Sequence, residues 1–299
     1  MNKKKNDIFK RQNEQRMQRL VVAQHFAYSS AKKLAFVLFV ILVIVPLSIN
    51  MALFFDLSDE ITGILSLISL SVLFIGEILR DVIANRKIIA AKIQQVFDIY
   101  VFGLDYAFLI DENELEESIQ KFTKKDWHRK KDWYNNYEEG DKNKTIFYCQ
   151  KENIDWTGNL SRRYKNFLTG VIITLLLVFV LNGILNNSSI IKLLSIAVTA
   201  MPIISYGVSG LKKIKQDDEK RKDIEKFANF INDNLDKLSN SELGDKVICL
   251  QIMIYESRKT QYLIPDWFEK IYYKSMQKLE NAKTTQRISN YKKKNKRDL

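Results

Sequence analysis

The chain has 299 residues, 46% of them hydrophobic and 27% charged, with a formal net charge of +12 and a mean hydropathy of −0.20. That average would suit a soluble domain, but it conceals four long apolar runs that exclude a purely soluble chain. Two cysteines, Cys149 and Cys249, exclude a disulfide framework, and ten glycines and three prolines beside long stretches of 3.6-residue periodicity point to an all-α protein.

Residues 1–33 are a basic segment carrying nine Lys and Arg. The first apolar run, Leu34–Phe55, and the second, Ile61–Leu79, make residues 34–79 a transmembrane hairpin. A polar insert, 80–167, separates it from a second hairpin, 168–210, built from Leu168–Leu185 and Ile190–Gly210. Each run has about 20 residues, enough as a helix to span the roughly 30 Å hydrocarbon core of a bilayer. Glu77 and Lys192 are their only charges, and both sit near run ends. The first run starts after 33 polar residues and is too long for a signal-peptide core, so it reads as a retained span. Residues 211–284 read as C-terminal helices and 285–299 as a basic disordered tail. The expected fold is an all-α membrane protein: two transmembrane helical hairpins with a cytosolic helical bundle formed by the central insert and the C-terminal tail.

Charge placement sets the expected topology. The insert carries sixteen Lys and Arg and the segment after the fourth run twenty-one, whereas the turns at 56–60 and 186–189 carry none. Basic flanks stay on the cytoplasmic side. Both termini and the insert are therefore expected in the cytosol of a multi-pass protein of the bacterial inner membrane. Basic flanks meeting anionic lipid account for the net charge, so no DNA or RNA partner is expected.

Within the polar segments, helical periodicity continues past Leu79 through Val82, Ile83, Ile89, Ile93, Val96 and Phe97 and stops at Gly103. Asp111 with Glu114 three residues on predicts a helix opened by a capping box. The stretch 124–144 reads as loop, and 145–167 as a helix leading into the third run. Further helices are predicted over 211–238, from Ser241 onward, and after Pro265. Phe97, Phe102, Trp156, Tyr164, Ile254 and Trp267 fall on apolar helix faces and are expected to be at least partly buried.

Catalysis finds no support. His25 and His128 lie in different segments without partners at a recognised spacing, and no phosphate-binding glycine loop or metal spacing occurs. Neither an enzyme nor a cofactor is expected. Inside the spans, Thr62, Ser66 and Ser69 share one helical face with Glu77 a turn or so beyond, and Ser195 and Thr199 form a similar stripe. Polar atoms in lipid must face protein or water, so these residues suit either a pore lining or ordinary packing by small hydroxyl residues. Pro46 and Pro202 interrupt two spans, as static kinks or as hinges. Aromatic and basic residues mix in the insert: Lys130, Lys131 and Trp133, then Trp156, Arg162 and Arg163. Rings stack on bases and guanidinium groups pair with phosphates, so this mixture suits an anionic nucleotide as well as an interfacial belt or a bundle core.

Three local patterns carry a resemblance. They are IQQVFDIYVFGL at Ile93–Leu104; DWYNNY followed by YCQKENIDWTGNLSRRY, with Cys149, Gln150, Asn153, Trp156, Leu160, Arg162 and Tyr164; and LQIMIYESRKTQYLIPDWF, with Leu250, Gln251, Ile254, Arg258, Pro265 and Trp267. Together, over nearly the whole length, they resemble the bacterial four-transmembrane (S-4TM) pore-forming effectors. Where that family has Pro-Trp, this chain has Asp105-Tyr106, a departure that bears on one turn. The resemblance implies an antiphage effector: a homo-oligomer that permeabilises the inner membrane when a nucleotidyltransferase makes a cyclic oligonucleotide signal. It implies no catalytic residues. The rival readings are a non-conducting membrane-anchored scaffold or sensor for a cytosolic partner, which would need no polar stripes, and a constitutive channel or transporter, which would show internal repeats or midplane charges.

Overall fold

The computed structural model describes residues 7–53, 55, 57–105, 111–123, 132–134, 141–185 and 190–295. Among these residues the chain is helical with no strand. The turn at 186–189 and the last four residues lie outside them, as do Lys130 and Lys131.

A short α1, Ile8–Arg11, precedes α2, Gln15–Phe39, which runs through a π-helical turn, Val40–Ile44, into α3, Val45–Ala52. The π turn has a local cause. Pro46 has no N–H to give to Leu42, and its ring crowds that carbonyl, so the backbone widens just upstream. Next comes α4, Asp59–Phe102. It starts at Ser58, whose hydroxyl accepts from the Ile61 N–H, with Asp59 and Glu60 in the first turn complementing the helix dipole. It stops at Gly103, which adopts the left-handed conformation at φ 57°.

The short α5, Glu112–Phe122, is capped by Asp111, whose carboxylate accepts from the N–H groups of Asn113 and Glu114. Glu114 itself pairs with Lys92 at 3.0 Å instead of closing the capping box. Two long helices follow, α6, Lys142–Leu185, and α7, Ile190–Asn234; then α8, Asn240–Thr260, and α9, Asp266–Asn295. The cap of α8 is Ser239, two residues before the expected Ser241, because Ser239 and Glu242 make the reciprocal capping box.

Three helices among the described residues are long and apolar enough to cross a membrane: the run Gln15–Ala52, Asp59–Phe102, and Leu194–Asn234 within α7. The fourth apolar run, Leu168–Leu185, forms the C-terminal part of α6; its side chains from 182 onward lie outside the described residues. Each of these helices is longer than its apolar run. The polar remainders assemble with α5 and α8 into a bundle whose core includes Phe97, Phe102, Phe147, Ile231, Val247 and Leu250.

The bundle has one more contributor than the insert and the C-terminal helices. Ile8, Met17, Leu20, Val21, Ala23 and Ala27 are buried in the same core, so the basic N-terminal segment is a structural part of the bundle beside the insert and the C-terminal helices. Phe97, Phe102, Tyr164 and Ile254 are buried as expected and Trp156 is partly so. Trp267 is 50% exposed, with its ring edge on Phe167, and Phe268, one position on, takes the core place at 2% exposure. A one-residue step turns a helix by about 100°, which is enough to exchange the two rings.

Candidate functional site

The three sequence patterns converge on one buried polar network. Asp98 of α4 is fully buried, and both of its oxygens are used. Tyr134 donates its hydroxyl to Oδ1 at 2.5 Å, while Oδ2 accepts from Arg258 Nη1 at 2.5 Å and Gln251 Nε2 at 2.9 Å. Gln251 also donates to Gln95 at 2.8 Å and accepts from Gln150 at 3.0 Å, and Asn153 donates to the Tyr134 oxygen at 3.2 Å. Gln95 and Asp98 belong to the first pattern, Tyr134, Gln150 and Asn153 to the second, Gln251 and Arg258 to the third. An ion pair taken out of water is tolerated only where such hydrogen bonds satisfy the remaining lone pairs and protons.

Beside this network lies a cavity of about 440 Å³. Its walls come from every helix that carries an apolar run: Gln24, Tyr28 and Lys32 of α2, Gln94 of α4, Trp156 and Ser161 of α6, and Asp217 and Arg221 of α7. Trp133 and the α8–α9 linker, through Gln261 to Ile264, complete it. Its cations are held by carboxylates: Arg258 by Asp98, Lys32 by Asp266 at 2.6 Å, and Arg221 by Asp218. Burial pushes the Tyr28 hydroxyl up to about 12, and this hydroxyl has no hydrogen-bond partner among the described residues.

The linker is clasped from two sides. Lys87 of α4 donates to the carbonyls of Thr260 and Gln261 at 3.4 and 3.1 Å, and Asp217 of α7 accepts from the Tyr262 N–H. Burial dominates both charges. It lowers Lys87 to about 8, with Lys213 adding to the effect, and raises Asp217 to about 6 against the opposing pull of the Tyr262 N–H, Lys213, Lys87 and Lys220. Tyr262 then packs at a tilt, 5.7 Å between ring centroids, on Tyr164, immediately before the third apolar run.

Of the candidate ligand residues, Trp133 and Trp156 line the cavity. Arg162 and Arg163 are exposed, and Arg163 lies over the Tyr272 ring at 4.8 Å from its centroid; neither lines the cavity. In the spans, Thr62, Ser69, Ser195 and Thr199 are buried within the single chain. Asn50 donates to Thr199 Oγ1 at 3.4 Å and Ser66 to the Thr62 carbonyl at 2.9 Å. Ser69 Oγ is buried with no hydrogen-bond partner among the described residues. Glu77 is exposed and paired with Arg80. Asp98, Tyr28, Lys87 and Asp217 were not singled out from sequence, where each looks like one more polar residue on a mixed helix. Among the described residues, no group of three or more His, Cys, Asp or Glu is placed to hold a metal ion.

No curated protein and no solved structure matches the chain. Residues 6–287 match the family described as the SMODS-associating 4TM effector domain, S_4TM, and the chain belongs to that family.

Proposed function

We propose that this S_4TM effector is a conditional permeabiliser of the bacterial inner membrane. It crosses the bilayer four times with both termini and the bundle in the cytosol, assembles as a homo-oligomer, and opens when a cyclic oligonucleotide made by a partner nucleotidyltransferase binds. The cell then loses its membrane barrier as a defence against phage. The observation that carries this reading is helix continuity. Each helix with an apolar run extends directly into the bundle and walls the cavity there, so one ligand can bias four rods together.

Opening must be conditional, because a constitutive leak kills the host. A ligand shifts such a balance only by binding the open state more tightly, and moving it from 1:99 to 99:1 needs about 5.5 kcal/mol of differential affinity. The polar positions supply the second support. With Thr62, Ser69, Ser195 and Thr199 inside one chain, conduction requires the spans to part or re-pack against neighbouring copies, which would give the unpartnered Ser69 hydroxyl access to water. The π turn before Pro46, and Pro202 inside α7, are the places where the spans bend most cheaply.

The test is co-expression with an activated nucleotidyltransferase while propidium entry and membrane potential are followed. Ser66→Leu, at a half-buried position, is expected to reduce leakage with expression and oligomer size retained. Cells that die with polarised, impermeable membranes would overturn the pore and leave a non-conducting scaffold in its place.

A further inference from the structure

We propose that the bundle cavity is the ligand site and that it recognises the bases of a nucleotide ligand, not its phosphates. This rests on the preceding reading for the source of the ligand; the chemistry of recognition comes from the cavity itself. At about 440 Å³ it falls within the roughly 300–1,000 Å³ of small-molecule sites. Two indole rings, Trp133 and Trp156, line it, and planar rings are the surfaces on which bases stack. Side-chain amides of Gln94, Asn153 and Gln261 line it as well, and an amide offers a donor and an acceptor side by side, as a base edge requires.

The charges argue against phosphate as the recognised group. The lining includes three cations, Lys32, Arg221 and Arg258, each already against a carboxylate, and four carboxylates, Asp132, Glu152, Asp217 and Glu269. A bare polyanion entering this space finds each of the lining cations already held by a carboxylate. Phosphates of a bound ligand therefore face the open side, and the bases enter. Occupancy is sensed by the linker, because Gln261 lines the cavity while Lys87 holds its carbonyl and Asp217 the next N–H.

The experiment uses the full-length protein in nanodiscs. The probes are cyclic di- and trinucleotides of adenine, guanine and uracil, with tripolyphosphate as the base-free polyanion, and the readouts are thermal shift and displacement of a radiolabelled probe. At least one cyclic nucleotide is expected to bind, tripolyphosphate not to compete, and Trp156→Ala and Trp133→Ala each to weaken binding about tenfold or more. Should either variant fold poorly, an 8-azidoadenine-bearing probe photolysed on the wild-type protein is expected to label peptides containing Asn153–Ser161 or Gln261–Ile264. The proposal is overturned if none of the cyclic nucleotides binds, if tripolyphosphate competes fully, if labelling falls elsewhere, or if Arg162→Ala and Arg163→Ala abolish binding while both tryptophan variants retain it. Binding at the cavity without leakage in cells would sink the pore and leave this site standing. Triggered leakage that ignores both tryptophan substitutions would sink the site and leave the pore.

Discussion

A single helix shows both of the ways in which this molecule is built. Between Ile61 and Leu79, α4 turns Ile64, Leu67, Phe74 and Ile78 outward and buries Thr62, Ser69, Val72 and Gly76. Between Ile83 and Phe102 the same helix buries Ile93, Phe97 and Val101 together with Gln95 and Asp98. The first half places bulk outside and small or hydroxyl side chains inside, as suits helices that approach closely in lipid: a Cβ on Gly76 would sit 2.9 Å from Leu42. The second half has a dense interior threaded by a polar network. Close approach of small side chains is less directional, and so specifies an arrangement less sharply. A buried ion pair held by directed hydrogen bonds, as at Asp98, favours one arrangement strongly. The difference suits the proposal that the spans re-pack more readily than the bundle.

The largest test of that contrast is at Asp98. Asp98→Ala strands the Arg258 guanidinium, which is 7% exposed, together with the Tyr134 hydroxyl. We expect a loss of about 3–5 kcal/mol, read as a lower denaturation midpoint in detergent. A loss below about 1 kcal/mol would mean that the network does not fix the bundle. A double-mutant cycle with Arg258→Met sharpens the result, since the pair should cost much less than the sum of the single changes.

Next in size is Asp217, where the bundle keeps a charge that burial disfavours. Its pKa is raised from 3.8 to about 6. The folded state therefore holds this proton more tightly than the unfolded state does. The resulting stability is fully present below about pH 3.8 and is lost as pH rises through about 6. A shift of this size is worth about 3 kcal/mol. Asp217→Asn keeps an oxygen for the Tyr262 N–H and removes the charge. It is expected to raise stability at pH 7.5 by up to about 3 kcal/mol and to bring no advantage near pH 4, as measured by unfolding across that range. An equal gain at both pH values would rule out the electrostatic cause.

A smaller effect is expected where α4 ends. Gly103→Ala puts a Cβ into a left-handed position at φ 57° and within 2.7 Å of the Arg11 guanidinium. The side chain can move, so we expect about 1 kcal/mol of destabilisation, from the backbone alone.

Much of this architecture is legible in the sequence because its causes are local. Apolar runs, caps and stops are written in neighbouring residues, as at Asp111 and Gly103. The network was not legible, because Asp98 sits on a helix among the same carboxylates and lysines that elsewhere face water, and only the fold brings Tyr134 and Arg258 to it. The N-terminal helix was missed for a related reason: Met17, Leu20 and Ala27 are interleaved with Arg16, Arg19 and Lys32, so the basic charge masked an apolar face. Trp133 and Trp156 are legible as aromatic residues near cations, yet Arg162 and Arg163, the cations beside Trp156 in sequence, do not line the cavity.

The smallest expected change in stability tests the other half of the contrast. Ser69 is fully buried in the spans, and its hydroxyl finds no partner among the described residues, whereas Ser66 and Ser71 each donate to the carbonyl four residues back at 2.9 and 2.8 Å. Removing an unsatisfied polar atom costs nothing in contacts and relieves its desolvation, so Ser69→Ala is expected to leave stability unchanged or raise it by about 1 kcal/mol. If the hydroxyl faces water only when the spans part, the same substitution withdraws a favourable interaction from the open state alone. Triggered leakage should then fall several-fold while the resting protein is as stable as before, or more so. Dye release from proteoliposomes, measured beside thermal unfolding of the same preparation, separates the two effects. A stability loss comparable to that of Asp98→Ala would show that the spans are held as specifically as the bundle, and the contrast between the two halves of α4 would fail.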